Sequence, residues 1–126
     1  MDLDWPAAAS GFWDQDPMSE DVLQRLAAVI HARRDGSASK SYTRELLDAG
    51  VERCARKLGE EAVETIIAAL GPDKSALSRE AADLVYHLLV LLESRDLELR
   101  DVLAELDRRM GTSGLAEKAN RTSSPQ

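Results

Sequence analysis

Aromatic residues are scarce in this sequence, which has one Phe, two Tyr and two Trp among 126 residues. A hydrophobic core must therefore be built mainly from Leu, Ala, Val and Ile, a composition that favours helices over a β-sandwich. The sequence also lacks segments in which apolar and polar residues alternate, the pattern of a half-buried strand. We therefore expect an all-α fold.

Cysteine and long apolar runs are scarce as well. The single Cys54 cannot form a disulfide within the chain, which favours a reducing compartment, so we expect a cytoplasmic protein. The longest apolar run, Leu84 to Leu92, is interrupted by His87 and is far shorter than the roughly 20 residues of a membrane span. The first residues carry acids and two tryptophans, so no signal peptide is expected.

The formal net charge of −7 argues against nucleic acid as a partner, because a polyphosphate backbone requires a basic surface. We therefore expect neither nucleic acid nor a membrane to bind this chain. The acidic balance still allows a small phosphate ligand that arrives together with a metal ion.

Hydrophobic periodicity and capping residues predict an antiparallel bundle of four to five helices, because the helix pairs are joined by short turns. The expected helices run from the N-cap Ser19 to Arg34, from the cap Thr43 to Gly50, from Val51 to Leu70, from near Asp73 to Ser94, and from Leu99 to Met110. We expect one domain over residues 19–121, with a flexible leader at 1–18 and a mobile tail at 122–126.

Two of the expected helices carry an apolar stripe with a period near 3.6, the spacing of one helix face. The first stripe consists of Val22, Leu23, Leu26, Val29 and Ile30. The second consists of Val51, Ala55, Leu58, Ala62, Val63, Ile66, Ile67 and Leu70. Gly59 lies inside the expected helix at 51–70, where glycine costs about 1 kcal/mol relative to alanine. This cost indicates close approach of a backbone or a ligand at Gly59.

The expected helix at 73–94 is apolar almost all round between Leu84 and Leu92. In a chain this small, such a helix usually needs a second subunit to cover it, so we expect a homodimer or a higher oligomer. Tyr86 is expected in the core or in that interface, and Cys54 is expected to be a small buried side chain.

Five carboxylates form two clusters, which are Glu60, Glu61 and Glu64 in one helix and Glu80 and Asp83 in the next. Residues three apart share a helix face, and like charges at that spacing cost a few tenths of a kcal/mol per pair. One such cluster alone is typical of a solvated face. Two clusters beside apolar positions indicate a cation held between them, and hard oxygen ligands suit Mg²⁺, with Mn²⁺ as the alternative.

Several other side chains have two interpretations. Lys57, four residues before Glu61, either binds a phosphate or forms an ion pair with Glu61. His87 lies one turn after Asp83 and either supports the ligands or contacts substrate, or is a histidine packed in an apolar helix, which is the preferred interpretation. Further basic candidates for a phosphate are Lys40, Lys118 and Arg121.

These residues carry a family resemblance. The segments KLGEEAVE at 57–64 and EAAD at 80–83, separated by 15 residues, resemble the EExxE…ExxD signature of the all-α nucleotide pyrophosphohydrolases. That superfamily includes MazG-like enzymes, dimeric dUTPases and phosphoribosyl-ATP pyrophosphatases. The segments SYT at 41–43, DLVYHLLVLL at 83–92 and DVLAELDRR at 101–109 are similar to the last of these families. The resemblance covers roughly residues 20–121.

The resemblance implies Mg²⁺-dependent hydrolysis of the α–β phosphoanhydride of phosphoribosyl-ATP to phosphoribosyl-AMP and pyrophosphate, the second step of L-histidine biosynthesis. It also implies a dimer. Carried over by position, the metal ligands are Glu61, Glu64, Glu80 and Asp83. Glu60 is implied as a further ligand or as the base, beside Glu61 and Glu64 as catalytic residues. The implied phosphate contacts are Lys57 and Lys40, with Lys118 and Arg121 in addition.

Two other functions remain open at this stage. A house-cleaning pyrophosphatase with the same fold would prefer dUTP, dCTP or a noncanonical nucleotide. A non-catalytic helical interaction module would carry the same acids as a solvated face, and neither Mg²⁺ nor Mn²⁺ would affect its stability.

Overall fold

The computed structural model describes residues 17–36 and 41–111, with side chains from residue 22 onward. Within these ranges the backbone forms five α-helices and no strand, which confirms the predicted all-α class. The helices are α1 (Pro17–Asp35), α2 (Tyr42–Ala49), α3 (Val51–Leu70), α4 (Lys74–Ser94) and α5 (Leu99–Met110). Most of the predicted leader and all of the predicted tail lie outside the described residues, as do Lys40, Lys118 and Arg121.

The described residues fall into two compact units: residues 23–99, and residues 17–22 together with residues 100–111. Nearly all of α5 falls in the second unit. Within α5, Glu105 accepts hydrogen bonds from Arg108 and Arg109, and these two guanidinium groups lower the pKa of Glu105 to about 2. No helix in the described ranges is both long enough and apolar enough to cross a membrane.

The helix boundaries follow from local chemistry. Gly50 has a φ of 100°, a left-handed conformation that suits glycine, and it ends α2 immediately before α3 begins. The side chain of Asp73 caps α4 by accepting a hydrogen bond from the Ser75 amide at 2.9 Å. The predicted limits of α3 and α5 are confirmed, and α4 begins one residue after its predicted start near Asp73.

Two predicted N-caps are wrong. α1 begins at Pro17, so Ser19 lies inside the helix; proline is well suited to a first helical position because it has no backbone N–H to leave unpaired. α2 is capped by Ser41, whose side chain accepts a hydrogen bond from the Arg44 amide at 3.1 Å. Thr43 is the second residue of α2, and its hydroxyl forms a hydrogen bond with the Tyr86 hydroxyl.

A small core joins four of the helices. Its buried members are Ile30 in α1, Leu46 in α2, Cys54 in α3, and Leu89 and Val90 in α4. The Cys54 thiol donates to the Leu46 carbonyl at 3.3 Å, and burial raises the pKa of this thiol. The prediction that Cys54 is a small buried side chain is confirmed.

The predicted buried stripes are only partly correct. In α1, Ile30 is buried, whereas Val22 and Val29 are exposed. In the second half of α3, the exposed fraction is 54% for Val63, 59% for Ile66, 58% for Ile67 and 85% for Leu70. Among the described residues no side chains cover this face, although its periodicity is that of a buried helix.

The correction at the start of α2 can be tested by replacing Ser41 with alanine. We expect Ser41→Ala to lower the free energy of unfolding by about 1 kcal/mol, because the Arg44 amide loses its hydrogen-bond acceptor. Denaturant-induced unfolding followed by circular dichroism measures the change. The control is Ser78→Ala, the same replacement at an exposed position inside α4, which should leave the stability unchanged or slightly raised. Equal effects of the two variants would contradict the assigned cap.

Candidate functional site

Three carboxylates meet where α3 packs against α4. Glu61 comes from α3, and Glu80 and Asp83 come from the facing helix. One ligand oxygen of each lies within 4.8 Å of the others, a spacing at which all three can coordinate one ion. Glu61 and Glu80 are partly buried and Asp83 is exposed, so the cluster opens to solvent at one side.

A threonine hydroxyl contacts the backbone carbonyls of two residues of this cluster. Thr65 follows Glu61 by one helical turn, and its Oγ1 lies 2.7 Å from the Glu61 carbonyl oxygen. The same Oγ1 lies 3.1 Å from the Glu80 carbonyl oxygen on the facing helix. Thr65 therefore connects the backbones of two cluster residues across the helix pair.

The electrostatics of the cluster favour a bound proton or cation. The pKa of Glu80 is raised, first because partial burial removes solvent from its carboxylate. The negative charges of Glu61, Asp83 and Glu64 raise it further, and so does a hydrogen bond with Glu61. A divalent cation would relieve this repulsion, so the oxygen ligands present fit the hard metal ion expected from the sequence.

The other two predicted acids lie outside the three-carboxylate cluster. Glu64 is exposed on α3, three residues after Glu61, and its charge still reaches Glu80. Glu60 is exposed and forms an ion pair with Lys57, with 3.1 Å between Oε2 and Nζ. The structure thus brings together three of the four predicted metal ligands and places the fourth at the edge of the cluster.

Of the two interpretations of Lys57, the ion pair with Glu61 is wrong, because Lys57 pairs with Glu60 instead, three residues away. This hydrogen bond is the main reason that the pKa of Lys57 is raised, and the second reason is the electrostatic influence of Tyr42. The partner carboxylate of Glu60 is about half exposed, and exposed pairs of this kind contribute roughly 0–1 kcal/mol. Lys57 is therefore free to exchange Glu60 for an anionic ligand at little cost.

A packed histidine lies one turn beyond Asp83. The His87 ring is buried, with Nδ1 2.8 Å from the Asp83 carbonyl oxygen, an acceptor that requires the proton on Nδ1. Its Nε2 lies 3.1 Å from the Tyr42 hydroxyl. Tyr42 and Tyr86 surround the ring, and Thr43 Oγ1 lies 2.5 Å from the Tyr86 hydroxyl. The prediction of a packed histidine is confirmed.

Two residues at this site escaped the sequence analysis. Tyr42 received no prediction of its own, because the SYT segment was interpreted through the cap predicted at Thr43. Thr65 was passed over because a lone threonine in a helix is ordinarily neutral, although it stands four residues after a candidate ligand, the spacing at which a hydroxyl reaches back to a carbonyl. Gly59 is exposed, and no other element of the described residues lies within 4 Å of the place a Cβ would take, so the predicted close approach of a backbone is wrong and that of a ligand stays a prediction.

Comparison with known proteins identifies the family. A family model described as phosphoribosyl-ATP pyrophosphohydrolase matches residues 23–110, which is more than half of the chain. This range contains both the acidic segment at 60–64 and the acidic segment at 80–83. The chain belongs to the phosphoribosyl-ATP pyrophosphohydrolase family. The family resemblance predicted from the acidic segments is confirmed.

Similar members of the phosphoribosyl-ATP pyrophosphohydrolase family match this chain at nearly their full length. The phosphoribosyl-ATP pyrophosphatase of Cereibacter sphaeroides is 56% identical over 100 residues, covering 79% of this chain and 97% of the relative. That of Jannaschia sp. is 57% identical over 99 residues, with the same coverage. That of Azorhizobium caulinodans is 55% identical over 106 residues, or 82% of this chain and 97% of the relative.

In this member of the phosphoribosyl-ATP pyrophosphohydrolase family, neutralising Glu80 should stabilise the metal-free protein. The folded-state pKa of Glu80 lies above its ordinary value of 4.5, so the folded chain binds the carboxyl proton more tightly than the unfolded chain does. The folded chain therefore loses stability as the pH rises from 4.5 through the folded-state pKa. We expect Glu80→Gln to raise the melting temperature at pH 7 in the presence of a chelator. The difference should disappear at a pH below 4.5, where Glu80 is protonated in both states.

The matched control is Glu52→Gln, the same replacement in the first turn of α3, where the helix dipole favours a negative charge. This control should leave the melting temperature unchanged or slightly lowered. A lower melting temperature for Glu80→Gln at pH 7 would show that the Glu80 carboxylate is not under repulsion.

Proposed function

We propose that this protein hydrolyses phosphoribosyl-ATP at the α–β phosphoanhydride and releases phosphoribosyl-AMP and pyrophosphate, as the second step of L-histidine biosynthesis. The observation that carries this proposal is the position of the Glu61–Glu80–Asp83 cluster inside the segment that matches the family. The relatives that share this segment are named for the same reaction. A cytoplasmic location is part of the proposal and is supported by the single cysteine, which is free and buried.

Mg²⁺ is the proposed cofactor, with Mn²⁺ as the alternative. Glu61, Glu80 and Asp83 would hold the ion, because carboxylate oxygens are the ligands that Mg²⁺ prefers and their ligand atoms are already close together. Glu64 is the carboxylate beside them that can join the set. When bound, the ion would neutralise charge on the phosphate chain of the substrate.

The side chains of this chain supply the remaining functions. Lys57 would exchange its weak ion pair with Glu60 for a phosphate oxygen of the substrate, which binds and orients the phosphate chain. Glu64 lies on an exposed part of α3, three residues after Glu61, and would orient the attacking water and accept its proton. The bond that breaks is the phosphoanhydride, and water contributes its oxygen to one product.

The proposed enzyme is a homodimer. Val63, Ile66, Ile67 and Leu70 give the second half of α3 an exposed apolar surface, and in α4 Val85 and Leu88 are also exposed. Exposed apolar surface of this kind typically marks a protein interface, because its burial removes apolar area from water. A second copy of the chain is the proposed partner, and its apolar α3 surface would match this one by symmetry.

The catalytic proposal is tested by pyrophosphate release from phosphoribosyl-ATP in the presence of Mg²⁺. We expect turnover by the unmodified protein and a loss of at least about a hundredfold in kcat/KM for Asp83→Asn, because one charged ligand is lost. The matched control is Asp73→Asn, in which asparagine replaces the N-cap of the same helix and caps it equally well. This control should retain the full rate.

Two results would overturn parts of this proposal. Full activity of folded Asp83→Asn would remove Asp83 from the site. A panel containing dUTP, dCTP and noncanonical nucleoside triphosphates tests the substrate, and a clear preference for one of these over phosphoribosyl-ATP would overturn the assigned reaction.

The dimer is tested by the mass of the particle in solution. We expect light scattering to give twice the chain mass of 13.8 kDa, and Ile67→Asp to shift the population toward monomer, because the interface would bury an unpaired charge. The control is Leu97→Asp, which changes an exposed apolar residue in the turn after α4. A monomeric unmodified protein, or equal effects of the two variants, would contradict the proposed interface.

A further inference from the structure

Thr65 occupies a particular position relative to the acidic cluster. Its Oγ1 lies 2.7 Å from the Glu61 carbonyl oxygen and 3.1 Å from that of Glu80, and both distances are normal for a hydrogen bond. A hydroxyl has one proton to donate, so the two carbonyls share it. The first bond stays within α3, whereas the second joins α3 to α4 at the level where their carboxylates face each other.

The cluster needs a directional connection at this point. Glu61 and Glu80 carry like charges on facing helices with ligand oxygens within 4.8 Å of each other, and their repulsion pushes the two helices apart. Apolar packing opposes separation but is non-directional, so it does not by itself fix how far one helix slides along the other. A hydrogen bond from Thr65 to the Glu80 carbonyl does fix it, because its strength falls steeply with distance and angle.

The local packing also leaves the spacing dependent on this bond. The buried core residues Cys54, Leu89 and Val90 lie one to three turns away from the carboxylates along α3 and α4. Beyond the cluster, the apolar side chains of α3 from Val63 to Leu70 are exposed rather than packed within the chain. The fully buried side chains of the helix pair thus lie away from the level of Glu61 and Glu80, where the Thr65 hydrogen bond joins the two backbones.

We infer that Thr65 is a positioning residue that sets the separation of Glu61 from Glu80 and thereby the preference of the cluster for a small divalent cation over a larger one. The inference rests on the proposed Mg²⁺ site. Mg²⁺ requires oxygen ligands at about 2.0–2.1 Å in near-octahedral geometry, whereas Ca²⁺ accepts ligands at about 2.3–2.6 Å in flexible arrangements. A cluster that widens should lose affinity for Mg²⁺ and lose little for Ca²⁺.

The test compares Thr65→Val with Thr65→Ser. Valine keeps the branched shape and removes the hydroxyl, whereas serine keeps the hydroxyl. Affinities for Mg²⁺ and for Ca²⁺ are obtained from the rise in melting temperature with each metal alone, which requires no turnover. We expect Thr65→Val to weaken Mg²⁺ binding about tenfold, the lower end of the range for residues that support metal ligands, with Ca²⁺ binding changed by less than about threefold. Thr65→Ser should restore the Mg²⁺ preference.

The matched control is Thr43→Val, which removes another partly buried threonine hydroxyl, one bonded to Tyr86 rather than to the cluster. It should lower the melting temperature without altering the ratio of the two affinities. If Thr65→Val weakens both metals equally, or only lowers the melting temperature, Thr65 is an ordinary structural residue and the inference fails. It fails also if the unmodified protein binds Mg²⁺ no more tightly than Ca²⁺. Absence of turnover with intact Mg²⁺ selectivity would instead overturn the assigned reaction and leave the role of Thr65 standing.

Discussion

Where α3 packs against α4, three carboxylates are held with ligand atoms within 4.8 Å of one another, and the surrounding contacts have to oppose their repulsion. The free energy of this repulsion is stored in the folded chain whenever no cation is bound. Burial of the Glu80 carboxylate is the first cause of its raised pKa, and this repulsion raises the pKa further. The chain retains a local conflict that a purely structural helix pair would have no reason to keep, and a site that must bind a cation strongly benefits from it.

The remainder of the residue 23–99 unit accommodates this conflict. The fully buried side chains gather around Ile30, Leu46 and Val90, well away from the acids, so the apolar core is not interrupted by charge. The helix segments that carry the acids make polar contacts to main-chain carbonyls, from Thr65 and from His87. Such contacts are directional, so they define positions even where little apolar area is buried. The buried apolar side chains thus stabilise the helix pair, and the polar contacts of another part of the same pair set the positions of the acids.

The sequence predicted the elements better than the surfaces. The bounds of α3 and α5 followed from periodicity and from breakers such as Gly50, because these signals are local. The stripe from Val63 to Leu70 was correctly recognised as apolar and wrongly placed in the core, since periodicity reports that a face is to be buried and not by which chain. The three clustered acids followed from spacing along two helices. The pairing of Lys57 with Glu60, and the role of Thr65, depend on rotamers and on the facing helix, which no linear pattern encodes.

The acidic cluster and the net charge of the chain would also affect how an anionic ligand approaches the candidate site. A chain with a net charge of −7 and a cluster of carboxylates at its candidate site repels a polyanion at distances comparable to the Debye length, about 8 Å at physiological ionic strength. Encounter with a bare phosphate chain is therefore slowed rather than steered, and added salt accelerates it by screening, the reverse of the usual behaviour of a basic pocket. A polyphosphate that arrives already complexed with a divalent cation carries less negative charge and would meet a smaller barrier, so the acids would favour the complexed form before any contact is made.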